Sequence, residues 1–349
     1  MSVDLMFKQA NAAYGAGNWV EAERTFRKLL RVKPLWANHN LGVICVATGR
    51  FAEAEAFFRA ALAIDPSCAA PRHSLGALLL SDGRYAQGWP LWEARREVRG
   101  PEGNPRLSFP EWGGEDLSGK HLLVALEQGL GDQILFARFI PELVARAGKV
   151  TFACDPLLVR LFSGLGCDLL PVTPGCAVPR ADCWTLSMSL GHKLGVTLET
   201  LPAAPYVAPR VPMTSGGGVG VVAQGSAINP NNRTRSLSDA DAERLVALGR
   251  SLAPEVTGAK DFQDTADIIA GLDLVIAVDT AVAHLAGAMG QPVWVLVPAW
   301  ETDWRWLRKR TDSPWYPSAR LYRQQTTGKW GPELRRVEAD LRDLELTAT

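Results

Sequence analysis

The first hundred residues carry a helical pattern of apolar positions that occurs three times. Each copy begins with a glycine, a polar residue and an aromatic residue: GNWVEAERTFRKLLRVKP (17–34), GRFAEAEAFFRAALAIDP (49–66) and GRYAQGWPLWEARREVRG (83–100). The leading glycines are 32 and 34 residues apart, and apolar helical segments at 40–48 and 74–82 precede the second and third copies. The pattern predicts helical hairpins that stack on one another, because a single hairpin cannot bury its apolar face.

From Gly119 onward, short apolar runs of strand length alternate with helical segments. The alternation covers 121–194, stops in a stretch rich in proline and glycine at 202–218, and resumes from 219 to 298. Alternating strands and helices predict parallel sheets with helices on both faces. Because the proline-rich stretch separates two such units, we expect a ligand in the cleft between them.

The helical copies resemble the tetratricopeptide repeat, since Leu41-Gly42, Ala54, Phe58 and Pro66 fall at its small, aromatic and proline positions. The third copy departs from the pattern, with Gly88 and Pro90 inside its second helix, and is expected to be a modified terminal unit that docks onto the next domain. With fewer than three full repeats, two roles stay open: a groove that binds a partner, or a structural cap.

Composition narrows the class of protein. Lys and Arg number 37, as do Asp and Glu, so charge gives no basis for a nucleic-acid or anionic-membrane partner. No apolar run approaches the ~18 residues of a transmembrane helix, and the N-terminus lacks a basic segment followed by an apolar one, so a cytoplasmic protein is expected. Six cysteines without a CxxC pair or zinc-ligand spacing are expected to be buried free thiols.

Glycines and an aspartate follow the first strand in the stretch EQGLGDQ, where a helix should begin. Gly129 and Gly131 allow positive φ and a close approach of the backbone to a ligand, and the N–H groups of the new helix favour an anion. Asp132 has two interpretations. It fits the helix N-cap, and it would also project into the cleft, where a carboxylate can accept a proton.

A second motif, DTAVAHLAGAMG, begins where a buried strand ends at Asp279. Thr280 opens a helix whose small residues let its N-terminus come close to a ligand. Tight packing explains the alanines but not His284, one turn into the helix.

These motifs together resemble the heptosyltransferase-like glycosyltransferases, closest to the bacterial subgroup with N-terminal tetratricopeptide repeats. The resemblance rests on the repeats, PEWGGEDLSGKHLLVALEQGLGDQ, DTAVAHLAGAMGQPVWVL and DWRWL…DSPWYPSARLYRQ, and so covers nearly the whole chain. It implies helical hairpins followed by a GT-B pair of Rossmann-like domains. It also implies an inverting transfer from a nucleotide sugar, with no metal at the diphosphate and no further cofactor. The predicted domains are 1–100 (repeats), 101–118 (linker), 119–212 (acceptor side) and 213–349 (nucleotide-sugar binding, with a C-terminal helix).

The resemblance also assigns roles. Asp132 matches the base for the acceptor hydroxyl, and the departing nucleotide phosphate needs N–H donors or positive charge. Trp304 and Arg305 follow a strand at the sheet edge, where a ring or guanidinium would meet a base or sugar. The candidate donor-binding residues are Gly129, Gly131, Gly225, Ser226, Arg233, Arg235, Asp279, Thr280, Ala281, His284, Trp304 and Arg305.

Two features depart from the family pattern. Ala223-Gln224 stand where relatives have a tryptophan, and 249–262 is compressed, with space for only a strand stub at 251–252. The main hypothesis is a glycosyltransferase whose repeats present a protein acceptor. The alternative is a catalytically weak relative that binds a sugar nucleotide or a protein. A Rossmann oxidoreductase is set aside, because a full GxGxxG followed by an acidic residue ~20 positions on is missing.

Overall fold

The computed structural model describes residues 2–100, 104–225, 232–300 and 302–344, without the side chain of Arg233. This part of the chain forms two compact units. The first contains Met1–Arg106 together with Asp303–Arg308, and the second contains Leu107–Thr302 and Lys309–Thr349. No helix in the described ranges has the length and apolar character needed to cross a membrane.

The first unit consists of helical hairpins, as the repeated pattern predicts. Gly17, Gly49 and Gly83 turn the chain within the three hairpins at φ values of +74°, +74° and +76°, which glycine adopts without strain. The helices are α1 Val3–Gly15, α2 Trp19–Leu29, α3 Pro34–Ala47, α4 Phe51–Ile64, α5 Ala69–Ser81, α6 Tyr85–Trp92 and α7 Arg95–Arg99.

In the second hairpin and again in the third, a close contact between a glycine and a large residue joins the two helices of that hairpin. A Cβ added to Gly42 would lie 2.5 Å from Cε1 of Phe58, and one added to Gly76 would lie 2.6 Å from the backbone N of Trp92. Both pairs occupy the same places in the repeat. The predicted departure of the third hairpin is also present: α6 has 8 residues whereas α4 has 14, and Pro90 lies inside it. Proline has no N–H to continue the helical hydrogen bonds.

The second unit contains two parallel sheets with order β3-β2-β1-β4 and β6-β5-β7-β8-β9, which confirms the predicted fold class. The strands are β1 His121–Ala125, β2 Lys149–Cys154, β3 Asp168–Pro171, β4 Cys183–Leu186, β5 Val219–Val222, β6 Arg250–Ser251, β7 Leu274–Val278, β8 Val293–Val297 and β9 Ala319–Arg323. The helices are α8 Leu130–Phe136, α9 Ile140–Arg146, α10 Val159–Phe162, α11 Leu190–Lys193, α12 Asn232–Arg235, α13 Asp239–Val246, α14 Pro254–Thr257, α15 Phe262–Ile269, α16 Ala281–Met289 and α17 Gly331–Asp343.

The strands β3 and β9 are absent from the sequence prediction, and both lie at a sheet edge. The compressed region at 249–262 does form only a short strand, β6, with two residues.

Part of the predicted linker also differs from the expectation. Trp184 in β4 donates to Pro110 O at 3.0 Å and accepts from Trp112 N at 2.7 Å, so this segment covers the edge of the first sheet. The predicted domain boundaries themselves stay predictions.

The six cysteines are free, as predicted, but only three of them are fully buried: Cys45, Cys154 and Cys183. Burial raises the pKa of the Cys154 thiol to about 12, so this thiol stays protonated and unreactive near neutral pH.

Replacing Gly76 by Ala should destabilise the first unit by about 1–3 kcal/mol, the usual cost of overpacking a close contact. The new Cβ would meet the backbone of Trp92, which cannot rotate away. Urea unfolding measures the change. Gly15→Ala is the matched control, because nothing lies within 4 Å of a Cβ at that helical position. Equal stability of the two variants would contradict the close packing.

Candidate functional site

The candidate site lies where strand order reverses in the two sheets of the second unit. The turn before α8 follows β1, which lies between β2 and β4. In the second sheet Gly225 follows β5 and Asp279 follows its neighbour β7, and β6 and β8 flank this pair on opposite sides. Ligands of open parallel sheets bind at the carboxyl ends of strands at such reversal points.

The two sequence motifs face each other through α8 and α16. A Cβ added to Gly131 would lie 2.9 Å from Cδ2 of His284 and 3.4 Å from Cα of Ala281. Gly131 is therefore required by the close approach of another helix of the protein itself, in addition to any ligand contact.

Gly129, rather than Asp132, is the N-cap of α8, so the N-cap interpretation of Asp132 is wrong. The Asp132 carboxylate instead reaches back from the third helical position, and its Oδ2 accepts from Gly129 N at 3.2 Å. Positive φ is also not the reason for the glycine: Gly129 has φ −81°, and the left-handed residue of the turn is Gln128, at +62°.

Gln133 stabilises this turn through its side-chain amide, and the sequence analysis did not single out this residue. Its side chain is 3% exposed. Its Oε1 accepts from Asp155 N at 2.8 Å, and its Nε2 donates to Gln128 O at 3.5 Å. The turn after β1 is thereby connected to the end of β2.

His284 is 8% exposed, and both of its ring nitrogens face polar groups. Nδ1 lies 3.0 Å from the hydroxyl of Tyr316, and Nε2 lies 3.7 Å from Oδ1 of Asp279. Tyr316 was missed by the sequence analysis because it lies 32 residues away, beyond β8. Burial raises the pKa of Tyr316 well above its usual value of 10, so its hydroxyl keeps its proton.

Arg235 approaches the end of β7 and donates from Nη1 to Asp279 O at 2.8 Å. Gly225 makes this possible, because a Cβ there would lie 2.7 Å from Nε of Arg235. Within the described residues, Nε of Arg235 and Oγ1 of Thr280 are buried without a hydrogen-bond partner. Such atoms cost stability and tend to mark functional sites. Ser226 and the side chain of Arg233, both predicted for the donor site, lie outside the described residues.

Trp304 and Arg305 belong to the first unit and are 5% and 4% exposed. The Trp304 ring packs edge-on against the rings of Trp89 and Trp92, with centroid distances of 5.4 and 5.6 Å. The Arg305 guanidinium lies 4.7 Å from the centroid of the Trp304 ring. The predicted role of these two residues in donor binding stays a prediction.

Metal ligands do not cluster in the described part of the chain: no group of three or more His, Cys, Asp or Glu residues there is arranged to hold an ion.

Replacing Trp304 by Ala should lower the free energy of unfolding of the first unit by about 3–5 kcal/mol, as expected when a buried aromatic ring is removed. Urea unfolding followed by circular dichroism tests this. Trp36→Ala is the control in the same unit, since Trp36 is 42% exposed. If Trp304 met a nucleobase instead, its loss would weaken nucleotide binding and leave stability nearly unchanged.

Comparison with known proteins found similar sequences and similar solved structures. Protein FlbA of Caulobacter vibrioides is 27% identical over 76% of this chain and 54% of its own length, so the chain spans about half of that relative. Among solved structures, a mutant O-GlcNAc transferase of Thermobaculum terrenum has 15% identity and a TM-score of 0.27, covering 97% of this chain and 92% of that chain. The glycosyl transferase family 9 protein of Veillonella parvula has 14% identity and a TM-score of 0.39, covering 64% and 92%.

The family matches fall on the two kinds of structure described above. Residues 7–68 match the tetratricopeptide repeat, and residues 231–297 match glycosyltransferase family 9 (heptosyltransferase). The chain thus contains a segment that matches the tetratricopeptide repeat, followed by a segment that matches glycosyltransferase family 9.

Proposed function

We propose that this protein is an inverting glycosyltransferase that moves a sugar from a nucleotide sugar to a protein or glycan acceptor without a metal ion. One observation carries the proposal. The family 9 match at 231–297 contains Arg235, Asp279 and His284, and these residues come together at the reversal point of the second sheet, where the start of α8 faces them.

The donor diphosphate would bind at the N-terminus of α16. Backbone N–H groups there favour an anion, and Ala281 leaves space for one. Arg235 supplies a positive charge, while Thr280 and His284 supply polar groups. A guanidinium suits phosphate because it donates two parallel hydrogen bonds. Gly225 lets the backbone after β5 come close to the donor. Ser226 and Arg233, which come later in the sequence, are proposed to add further donors to phosphate oxygens.

Asp132 would act as the base. It accepts the proton of an acceptor hydroxyl while the oxygen forms a bond to the anomeric carbon. The bond from that carbon to the diphosphate oxygen breaks, and its electron pair leaves with the nucleoside diphosphate. Attack from the face opposite the leaving group inverts the anomeric centre. The helix N-terminus and Arg235 stabilise the charge on the leaving group.

The repeat unit would present a protein acceptor, because stacked helical hairpins suit extended segments. The repeat match at 7–68 supports a protein-binding role. A structural cap remains the alternative for this unit.

A catalytically weak relative, which binds a sugar nucleotide or a protein, is the second candidate function. The two-residue strand β6 favours it, since a short strand beside β5 alters the wall of the nucleotide pocket. A thermal-shift panel of nucleoside diphosphates and nucleotide sugars, followed by turnover with the best ligand, separates the two. Binding raises the melting temperature in either case, but only an enzyme releases the nucleoside diphosphate when an acceptor is supplied.

His284→Ala and Arg235→Ala should each weaken nucleoside diphosphate binding by about 1–3 kcal/mol, the scale of a lost hydrogen bond to a charged group. Isothermal titration with the nucleotide chosen by the thermal-shift panel measures the change. Arg244→Ala removes the same charge elsewhere in the unit, where Arg244 pairs with Glu338, and should bind like the parent. Parent-like affinity in all three variants would contradict the donor site.

Asp132→Asn should lower turnover by about 10²–10⁴-fold, the typical contribution of a general base, with donor affinity nearly unchanged. The fold should persist, because an asparagine oxygen can still accept from Gly129 N as the carboxylate does. Initial rates at saturating donor test this. A rate within about threefold of the parent, far below the general-base range, would remove Asp132 from the mechanism.

A further inference from the structure

We propose that Tyr316 is a positioning residue whose hydroxyl donates to Nδ1 of His284 and so keeps the imidazole proton on Nε2, on the side of the donor site. The use of that proton toward a nucleotide phosphate rests on the function proposed above. The protonation pattern of the ring does not depend on it.

The contact between these residues is direct and buried. Tyr316 is 1% exposed and His284 is 8% exposed, and the distance from Nδ1 to the hydroxyl is 3.0 Å. On the other side of the ring, Nε2 lies 3.7 Å from Oδ1 of Asp279, which is longer than a hydrogen bond. The hydroxyl therefore holds Nδ1 of the ring, and Nε2 lies on the side of Asp279.

Charge decides which nitrogen carries the proton. A neutral imidazole has one N–H and one lone pair. If the lone pair were on Nε2, it would face the carboxylate of Asp279 and be repelled, whereas a proton there is attracted. With the proton on Nε2, Nδ1 is an acceptor, and the hydroxyl of Tyr316 is its donor.

The surroundings of Tyr316 fit this direction. Arg138 lies against the Tyr316 ring, with Cζ 4.8 Å from the ring centroid, and a guanidinium can only donate hydrogen bonds. Tyr206 donates its own proton to Ile134 O at 2.9 Å, so its hydroxyl oxygen is left only as an acceptor. Nδ1 of His284 lies 3.0 Å from the Tyr316 hydroxyl, and the charge of Asp279 favours this nitrogen as the acceptor.

The position of the ring is fixed by packing. A Cβ added to Gly287 would lie 2.4 Å from Cγ of Tyr316, so this glycine of α16 lets the ring lie flat against the helix. Phenylalanine would fill the same space, and Tyr316→Phe therefore removes the hydroxyl while it keeps the packing.

The test uses the ¹⁵N-labelled protein and its imidazole ¹⁵N–¹H spectra, in which the two tautomers give different signals. His284→Ala identifies the His284 signals among the five histidines. The parent should show an Nε2–H tautomer, and Tyr316→Phe should show a mixture. Tyr322→Phe, which removes another buried hydroxyl that bonds Asp340 Oδ2 at 2.6 Å, should show the parent pattern. Affinity for ADP or UDP should fall about 10-fold in Tyr316→Phe only, as for one misplaced hydrogen bond.

An Nδ1–H tautomer in the parent overturns the proposal, and so does an unchanged His284 spectrum in Tyr316→Phe. The parent spectrum needs no variant and therefore decides the matter even if Tyr316→Phe does not fold. If neither ADP nor UDP binds the parent, the proposed function loses its support, while the tautomer still supports or overturns the role of Tyr316.

Discussion

The candidate site depends on one buried guanidinium that connects the segments around it. Arg138, which follows α8, is 3% exposed. It donates to three carbonyl oxygens: Leu135 O at 2.9 Å, Pro202 O at 2.9 Å and Trp315 O at 2.8 Å. Pro202 begins the proline-rich stretch between the two sheets, and Trp315 lies beyond β8. A buried charge is tolerated only where it is well hydrogen-bonded. The two sheets and their connection are therefore fixed at the place where α8 meets α16.

The aromatic rings around Arg138 extend this constraint to the site. Its Cζ lies 4.8 Å from the ring centroids of both Trp315 and Tyr316, and 5.1 Å from that of Tyr206. Cation–π contacts of this kind strengthen when they are desolvated. Through Tyr316 the same cluster reaches His284, so the orientation of a predicted donor-binding side chain depends on residues from both sheets.

Local patterns predicted much of this molecule, and long-range contacts account for what they missed. The repeat glycines and the strand–helix alternation follow from periodicity and turn chemistry within short windows, whereas the facing of Gly131 and His284 is a long-range contact between α8 and α16. Arg138 and Trp315 are 177 residues apart in sequence, and no pattern within a window connects them. Trp304 illustrates the same limit: its place after β8 suggested a sheet edge, whereas its ring packs against α6, which is distant in sequence.

The short segment Asp303–Arg308 gives the chain an unusual path, because it belongs to the first unit although the residues on both sides of it belong to the second. Trp304 completes the aromatic cluster of α6, and Arg308 N donates to Ser81 O at 2.9 Å. During synthesis, domains generally fold from the N-terminus as they emerge. Here the helical hairpins emerge first, but the last side chains of their core arrive only after Leu107–Thr302 has been translated. The repeat unit must therefore wait, with part of its aromatic surface uncovered, until that long stretch of the second unit has been made.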